Sequence, residues 1–370
     1  MIGFIMAIIA CTSCHKIYPN DRVPFQCECG GSYDYAEFPD YSENLIDNTK
    51  SGMMKYARLF NLEEESGWVS LGEGNTPLLS TSIDGVEVFC KMESHNPTGS
   101  YKDRGSAVLV NFLKSRGVTF AVEDSSGNAG ASFAGYCARA GIKARVYVPE
   151  SASGPKRMQI ERYGAELIRV PGPRSEAAKA VMEAANSGAV YASHAWMPFG
   201  LTGIASIAYE IVEQLGQVPG TLVAPVGHGG LLFGIMRGFE SMRKAGRIPN
   251  EPFYLGVQSS GCSPMVFAYS NNTTQISEVL LSDTAAEGVK VSQPARGSAI
   301  LERMKSGKGR MVSIDESNLL DSWRASARQG FYMEPTSALV WAAIKQNVKD
   351  FKTPVVAIIT GSGYKSTILS

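Results

Sequence analysis

From Gly72 onward, short β-branched runs alternate with helical patterns, and this alternation constrains the fold more than any other feature of the chain. Strands are predicted at residues 86–92, 119–122, 144–148, 167–170, 221–226, 253–257 and 355–359. Helices are predicted at residues 131–140, 154–163, 175–186, 204–215 and 231–245. Strands that alternate with helices pair in parallel, so we predict an α/β fold with parallel-rich sheets flanked by helices. Residues 259–309 are the least regular stretch and predict loops around one or two short elements.

The composition limits the classes of function. A chain of 370 residues is long enough for two domains with hydrophobic cores, or for one domain plus an arm. Basic and acidic residues number 35 each, so no excess charge of one sign is available to attract nucleic acid or an anionic membrane. No run reaches the roughly 20 apolar residues that span a bilayer. We therefore expect a cytoplasmic protein that binds neither nucleic acid nor membrane.

Three glycine-bearing loops each follow a predicted strand. They lie at residues 124–130, 226–231 and 360–365. Ligands of open α/β sheets bind beyond the carboxyl ends of the strands, and a helix that starts there favours an anion. Each loop taken alone is compatible with a plain strand-to-helix turn. Three such loops in one chain favour a shared anionic cofactor.

Lys102 lies just after the turn Pro97-Thr98-Gly99 and just before a helical stretch at residues 105–113. The partial positive charge of a helix N-terminus disfavours the ammonium form, and a neutral amine is what captures a carbonyl group. The alternative is a surface lysine beside a helix start. The loop at 227–230 does not fit G-x-G-x-x-G, because Leu232 stands where the last glycine belongs. A monophosphate with a carbonyl group fits better, which is the chemistry of pyridoxal phosphate.

Four motifs, in this order, resemble the fold-type II pyridoxal phosphate enzymes, which have a tryptophan synthase β-like fold, and within them the threonine synthases. The motifs are Gly-Glu-Gly-Asn-Thr-Pro-Leu at 72–78, Asn-Pro-Thr-Gly-Ser-Tyr-Lys-Asp-Arg-Gly at 96–105, Glu-Pro-Thr-Ser-Ala at 334–338 and Thr-Gly-Ser-Gly-Tyr-Lys at 360–365. The resemblance implies a large cofactor-binding domain of residues 72–98 and 206–370 and a small mobile domain of residues 99–205. Residues 1–71 would form an N-terminal zinc-ribbon-like arm.

The resemblance also implies a role for each matched residue. Lys102 would form a Schiff base with the cofactor and later shuttle protons, and Asn128 would hydrogen-bond the phenolic oxygen. The phosphate would be held by the backbone N–H groups of Gly227, His228, Gly229, Gly230 and Leu231. Thr360 would meet the pyridine nitrogen, with Ser362 as the second candidate. The substrate would bind at Thr98, Ser100, Ser125, Ser126 and Ala129, the last three lining the site of its carboxylate.

Four of the seven cysteines lie in the first 30 residues, at Cys11, Cys14, Cys27 and Cys29. Two close pairs followed by glycine resemble a zinc ribbon, in which four thiolates hold the metal in a tetrahedron. A metal could order an arm that is too small for a core of its own. The alternative is a ribbon of reduced thiols that has lost its metal.

The implied reaction is β- or γ-elimination with replacement on an amino acid, and the first interpretation is a threonine synthase acting on O-phosphohomoserine and water. Threonine synthases usually carry Arg-Leu-Glu-Gly-Gln-Lys-Thr before the middle helix, whereas residues 199–206 here lack the Arg, Glu and Lys. Lys156 and Arg157 remain as candidates for a distal anion. The alternatives are a serine/threonine dehydratase, a diaminopropionate lyase, a cysteate synthase, or an inactive binding protein that keeps the cofactor. A homodimer is expected from the resemblance alone.

Overall fold

The computed structural model describes residues 7–62, 67–152, 154–347 and 350–366. The strands, in chain order, are β1 (Ile9–Cys11), β2 (Tyr33–Tyr35), β3 (Leu78–Ile83), β4 (Val86–Lys91), β5 (Phe120–Glu123), β6 (Lys143–Pro149), β7 (Glu166–Val170), β8 (Val190–Tyr191), β9 (Thr221–Pro225), β10 (Phe253–Ser259), β11 (Gly309–Ile314) and β12 (Val355–Ile358). The α-helices are α1 (Lys102–Ser115), α2 (Asn128–Ala140), α3 (Pro155–Arg162), α4 (Arg174–Asn186), α5 (Gly200–Leu215), α6 (Gly230–Lys244), α7 (Pro264–Ser270), α8 (Gly297–Arg303), α9 (Glu316–Arg328) and α10 (Pro335–Gln346).

The chain divides into two compact units, and each has its own sheet. Unit 1 comprises Met1–Gly74 and Lys102–Gly203, and unit 2 comprises Asn75–Tyr101 and Ile204–Ser370. Each unit therefore combines two separate stretches of the sequence. Within the described ranges, no helix has both the length and the apolar character that crossing a bilayer requires.

Unit 1 contains a four-stranded parallel sheet in the order β7-β6-β5-β8. Strands β1 and β2 pair separately and antiparallel near the N-terminus. The N-terminal segment packs on the rest of this unit through Tyr18, whose ring contacts Phe112 of α1 and Phe199 edge-on. The ring centroids lie 6.0 and 5.2 Å apart, within the range of favourable aromatic pairs. The segment around Tyr18 is thus anchored to α1, the helix that begins at Lys102.

Unit 2 contains a six-stranded sheet in the order β11-β10-β9-β12-β4-β3. Its neighbouring strands are parallel except for β3 and β4, which pair antiparallel at one edge. Every residue of β9 and β12 is buried, because interior strands of a parallel sheet are covered on both faces. The predicted α/β fold with parallel-rich sheets is confirmed, and residues 259–309 hold the short helices α7 and α8 among loops.

Candidate active site

The lysine motif and the C-terminal glycine loop meet inside unit 2. The N–H of Ser362 donates to the carbonyl of Gly99 at 3.0 Å, and the N–H of Tyr101 donates to the carbonyl of Thr360 at 3.0 Å. The ammonium of Lys365 donates to the carbonyl of Thr98 at 2.7 Å. Two segments that are about 260 residues apart in sequence are therefore fixed against each other, and the chain enters unit 1 at the next residue, Lys102.

Gly99 is required at this junction by its conformation and by its surroundings. Its φ of +87° lies in the left-handed region, and a Cβ atom there would stand 2.8 Å from Cδ of Lys365. Ser100 follows and is fully buried. Among the residues that the structure describes, its Oγ atom has no hydrogen-bond partner. A buried hydroxyl without a protein partner indicates a place for a polar ligand atom.

Thr360 belongs to a short hydrogen-bond chain that includes Ser337, a residue of the 334–338 motif. The two side-chain oxygens lie 2.8 Å apart, and Oγ of Ser337 also accepts from the N–H of Gly361 at 3.1 Å. If Ser337 donates to Thr360, the hydroxyl hydrogen of Thr360 is available for another acceptor. Ser362 has a different role, because its Oγ accepts from the N–H of Tyr364 and caps the turn at 363–365. The contacts of unit 2 therefore favour Thr360 over Ser362 for a ligand nitrogen, and they add Ser337, which the sequence analysis did not single out.

The loop between β9 and α6 is closely packed, and this packing requires its glycines. A Cβ atom on Gly227 would stand 2.7 Å from the carbonyl oxygen of Gly288, and one on Gly229 would stand 2.8 Å from Cδ1 of Ile300. Gly229 has a φ of +94° and precedes the first residue of α6. The first N–H groups of an α-helix have no acceptor within the helix, so they can donate to an anion that binds there. The phosphate site predicted at residues 227–231 thus falls at the N-terminus of a helix.

His228 shapes this loop with its side chain as well as its backbone. Nδ1 of His228 accepts from the N–H of Gly230 at 3.2 Å, and its carbonyl accepts from the N–H of Arg296 at 3.0 Å. The N–H of Gly288 donates to Oγ1 of Thr336 at 3.1 Å. Gly288 and Arg296 belong to a stretch that the sequence shows only as irregular. Both residues contact the loop at 226–231 and support its conformation.

In unit 1, the predicted site residues lie at the starts of two packed helices. Lys102 is the first residue of α1 and is partly buried. Asn128 is the first residue of α2. The two helices are joined near these ends, because Oγ of Ser132 donates to the buried carboxylate of Asp103 at 2.6 Å. Gly130 lets the carbonyl of Ser125 approach α2 more closely than any side chain would permit.

A cluster of ionisable side chains that the sequence analysis missed lies beside the loop at residues 124–130, at the carboxyl ends of β5 and β8. Oε1 of Glu123 lies 2.6 Å from Nδ1 of His194, and the hydroxyl of Tyr191 donates to Asp124 at 2.8 Å. Oε2 of Glu123 accepts from the N–H of Ser125. Glu123 has only 1 % of its surface exposed, which makes an unpaired charge there costly.

Burial raises the pKa of Glu123 to about 7, although the N–H of Ser125 and the charge of Lys102 oppose the shift. Burial lowers the pKa of His194 well below its ordinary value, and the charge of Lys102 adds to that effect. Burial and the neighbouring Glu123 raise the pKa of Asp124. Near pH 7 the imidazole of His194 is therefore neutral, while Glu123 is close to the midpoint between its protonated and ionised forms.

The four N-terminal thiols come together as the sequence spacing predicts. The sulfur atoms of Cys11 and Cys29 lie 3.5 Å apart, those of Cys14 and Cys27 lie 3.6 Å apart, and all four lie within 4.8 Å of one another. Four sulfurs at about 2.3 Å from a zinc ion would be separated by about 3.8 Å. The donor set and its spacing fit a tetrahedral metal ion, and the remaining cysteines are buried elsewhere.

Known proteins are similar to this chain over most of its length. The sequence profile of a family described as pyridoxal-phosphate dependent enzyme matches residues 69–361. A threonine synthase of Methanocaldococcus jannaschii is 34% identical over 96% of this chain and 92% of its own length. One from Bacillus sp. is 32% identical over 85% of this chain and 90% of its own.

The solved structures share the fold. A threonine deaminase from T.th. aligns with a TM-score of 0.67 at 23% identity, over 79% of this chain and 94% of its own. Maize serine racemase aligns with a TM-score of 0.68 at 20% identity, over 80% of this chain and 89% of its own.

Proposed function

Because this chain belongs to the family of pyridoxal-phosphate dependent enzymes, we propose that it is a threonine synthase, which converts O-phosphohomoserine and water into threonine and phosphate. The chain is a pyridoxal phosphate-dependent lyase of the group that performs elimination and replacement on small molecules. The specific reaction rests on one observation, the 34% identity to a threonine synthase that extends over nearly the whole of both chains.

The residues of unit 2 fit the cofactor. The glycine cradle and the start of α6 supply backbone N–H groups for its phosphate, through residues 227–231. Thr360, supported by Ser337, would meet the ring nitrogen with a neutral hydroxyl. The buried hydroxyl of Ser100, beside Thr98, would contact the substrate.

Unit 1 supplies the groups that handle protons and the substrate carboxylate. Bound pyridoxal phosphate supplies an electron sink that makes the α-proton and the leaving group of an amino acid easier to remove. Lys102 would attach the cofactor and then take and return protons at Nζ. Asn128 would hydrogen-bond the ring oxygen. Ser125, Ser126 and Ala129 would hold the carboxylate at the start of α2.

The start of α5, where threonine synthases usually carry cationic residues, packs closely against the start of α1. A Cβ atom on Gly200 would stand 3.1 Å from Cα of Gly105, and one on Gly203 would overlap the carbonyl of Arg104. A longer side chain at either position would push α5 away from α1. Lys156 and Arg157, at the start of α3, remain for the distal phosphate, but Nη1 of Arg157 already donates to the carbonyl of Ala152 at 3.0 Å.

The same segment supports a second candidate function. An enzyme that eliminates water from serine or threonine needs no cation for a distal phosphate, and residues 199–206 contain no Lys or Arg. Such a lyase would release a 2-oxo acid and ammonia. Diaminopropionate lyase and cysteate synthase remain in this group of alternatives as enzymes that eliminate or replace a group at the β-carbon of an amino acid.

The deciding experiment is to assay phosphate, ammonia and 2-oxo acid after adding O-phosphohomoserine, L-serine and L-threonine in turn. Phosphate release from O-phosphohomoserine supports the synthase, ammonia with 2-oxo acid supports the lyase, and neither indicates an inactive binding protein. Borohydride reduction and peptide mapping should place the cofactor on Lys102. Replacement of Lys102 by Ala should remove the visible absorbance band and lower the rate by roughly 10²–10⁴-fold. Lys143→Ala, at an exposed position of unit 1, is the matched control.

We also propose that the protein is a cytoplasmic homodimer with a structural zinc ion on its four N-terminal thiols. The compact thiol cluster supports the metal. The proposed roles of residues 99–205 as a small mobile domain and of residues 72–98 and 206–370 as the cofactor domain stand on the resemblance. Gel filtration with light scattering tests the dimer, and metal analysis tests the zinc.

A further inference from the structure

The proposed carboxylate loop is connected directly to a buried acid. The N–H of Ser125 donates to Oε2 of Glu123, and the N–H of Gly127 donates to Oγ of Ser125 at 3.2 Å. The other oxygen of Glu123 faces Nδ1 of His194 at 2.6 Å. One carboxyl group thus orients the loop with one oxygen and contacts an imidazole with the other. The mechanism described above uses neither Glu123 nor His194.

We propose that Glu123 is a proton-linked positioning residue, which takes up a proton when a substrate carboxylate binds at Ser125 and Ser126, and that His194 holds this proton in place. This inference rests on the proposed function for the role of the loop. The proton comes from solvent and binds Oε1 of Glu123, whose O–H then donates to Nδ1 of neutral His194. The O–H bond formed on Glu123 replaces the O–H bond that the solvent acid loses, and no other bond changes.

The groups that face Glu123 come from every element around it. Lys102 of α1 and Arg174 of α4 favour its ionised form through their positive charges, and so does a hydrogen bond from the backbone of Asp124. The charge of Glu123 in turn raises the pKa of the Asp124 carboxyl group. Burial raises the pKa of the Cys137 thiol in α2, and the charge of Glu123 raises it further. The hydroxyl of Tyr191 is turned to Asp124 and not to Glu123. Glu123 is therefore balanced between its two forms near neutral pH, so that one further negative charge decides its state.

The substrate carboxylate would be that charge. Two carboxylates held at one loop repel each other in a buried environment, so the binding of the second favours protonation of the first. Linkage makes the effect reciprocal, since a ligand that raises the pKa of Glu123 must bind more weakly once Glu123 is ionised. Affinity for an amino-acid carboxylate should therefore fall as the pH rises through 7.

The test measures the dissociation constant of L-alanine from the cofactor-loaded protein by its visible absorbance, in the wild type and in Glu123→Gln. L-Alanine has no leaving group on its β-carbon, so it binds without elimination. The glutamine amide can donate to His194 and accept from Ser125, as the protonated acid would, but it cannot titrate. The ratio of the two constants cancels the titration of the ligand's own amine. We expect this ratio, wild type over variant, to rise roughly tenfold between about pH 6 and about pH 8.5, which corresponds to a pKa increase of about one on binding.

A ratio that stays flat over this range overturns the inference. Glu183→Gln, on the exposed face of α4, is the matched control and should keep the wild-type pH profile. Glu123→Asp keeps a titratable carboxyl group, so it should keep a pH-dependent affinity even if the glutamine variant does not fold. A flat profile in Glu123→Asp also counts against the inference. Borohydride mapping distinguishes failure of the proposed function from failure of this inference. A cofactor found away from Lys102 contradicts the proposed function, whereas a cofactor on Lys102 with a flat ratio contradicts only this inference.

A second readout examines the imidazole itself and needs no substrate. The chain has only four histidines, so ¹⁵N-histidine spectra of the cofactor-loaded protein can be assigned by comparison with His194→Asn. We expect His194 to be neutral near pH 6.5, with Nδ1 unprotonated and the hydrogen on Nε2. An imidazolium signal for His194 at that pH would mean that the pair is ionic, and the proposed transfer of a proton to Glu123 would be wrong.

Discussion

Two loops of this protein occupy the same kind of position and use opposite chemistry. The loop after β5 in unit 1 is bordered by the ionisable side chains of Glu123, Asp124 and His194. The loop after β9 in unit 2, residues 226–231, presents glycines and backbone N–H groups at the start of α6. The second loop can bind an anion through its backbone N–H groups, and its ionisable side chain, His228, accepts from the N–H of Gly230. The first is expected to respond to pH, because buried acids and bases lie against it.

The comparison teaches that one supersecondary unit can serve either as a fixed dipole or as a proton-dependent contact. A parallel strand followed by a helix supplies the anion-binding geometry in both cases. The difference lies in the last residues of the strand. Glu123 ends β5 with a carboxyl group, whereas Pro225 ends β9 and offers no group that titrates.

The thiol cluster extends the comparison, because it is a second place where unit 1 relies on ionisable groups. Cys11→Ser removes one of four ligands, and we expect metal content to fall from about one equivalent to near zero, with on the order of 10 kcal/mol of metal-binding free energy at stake. Thermal unfolding of unit 1 should occur at a lower temperature, because β1 ends at this residue. Elemental analysis and calorimetry measure the two effects.

Cys262→Ser is the matched control, since Cys262 is a buried thiol of unit 2 outside the cluster. It should keep the full metal content. If Cys11→Ser retained one equivalent, the four thiols would not be the metal site.

Glu123→Gln gives the next largest effect and tests the loop of unit 1 through stability alone. The pKa of Glu123 rises from an ordinary value of 4.5 to about 7 on folding, so the folded state binds the proton more tightly. Its contribution to stability is complete below pH 4.5 and is lost as the pH rises to 7. The glutamine variant should match the wild type near pH 4.5 and exceed it by up to about 3 kcal/mol above pH 7. Denaturant unfolding at both pH values measures the difference.

If the two proteins differed in stability by the same amount at both pH values, the pKa of Glu123 would not change on folding. The pKa of His194 shifts in the opposite direction on folding. Its contribution to stability is therefore complete above the ordinary pKa of histidine and is lost as the pH falls below it. Since both proteins contain His194, its contribution cancels to first order. Glu183→Gln again provides the exposed comparison.

The sequence predicts the interior strands well and one buried helix poorly. The predicted ranges 221–226 and 355–359 match β9 and β12 within one residue, because continuous β-branched runs are typical of strands covered on both faces. Helix α10 was not predicted. Every residue from Pro335 to Ile344 is buried, so α10 has no polar face and therefore no helical periodicity to detect.

The candidate site divides in the same way. Residues that occur in compact motifs, such as Lys102 and those of loop 227–231, could be named from the sequence. The pair of Glu123 and His194 could not, because 71 residues separate them. They meet only because β5 and β8 are neighbours in the sheet, with Val122 opposite Tyr191. Contacts that depend on strand order are beyond what local sequence patterns can show.

The smallest predicted effect concerns the loop of unit 2, where backbone conformation replaces titration. Gly229→Ala places a methyl group 2.8 Å from Cδ1 of Ile300 and 3.0 Å from Cβ of Arg296, at a φ of +94°. Left-handed strain costs a non-glycine residue about 1–2 kcal/mol, so we expect cofactor affinity to fall roughly tenfold or more. The loss should be the same at every pH, since no titratable group is changed. Equilibrium titration of the cofactor by absorbance measures it.

Gly246→Ala separates strain from crowding. Gly246 follows the other end of α6 with a φ of +72°, and a Cβ atom there meets nothing within 4 Å. It should lose stability through backbone strain but keep its cofactor affinity. If Gly229→Ala weakened the cofactor only at high pH, the loop of unit 2 would be linked to a proton after all. The contrast between a fixed cradle and a titrating loop would then fail, whereas a pH-independent loss confined to Gly229 would place the proton-dependent chemistry in unit 1.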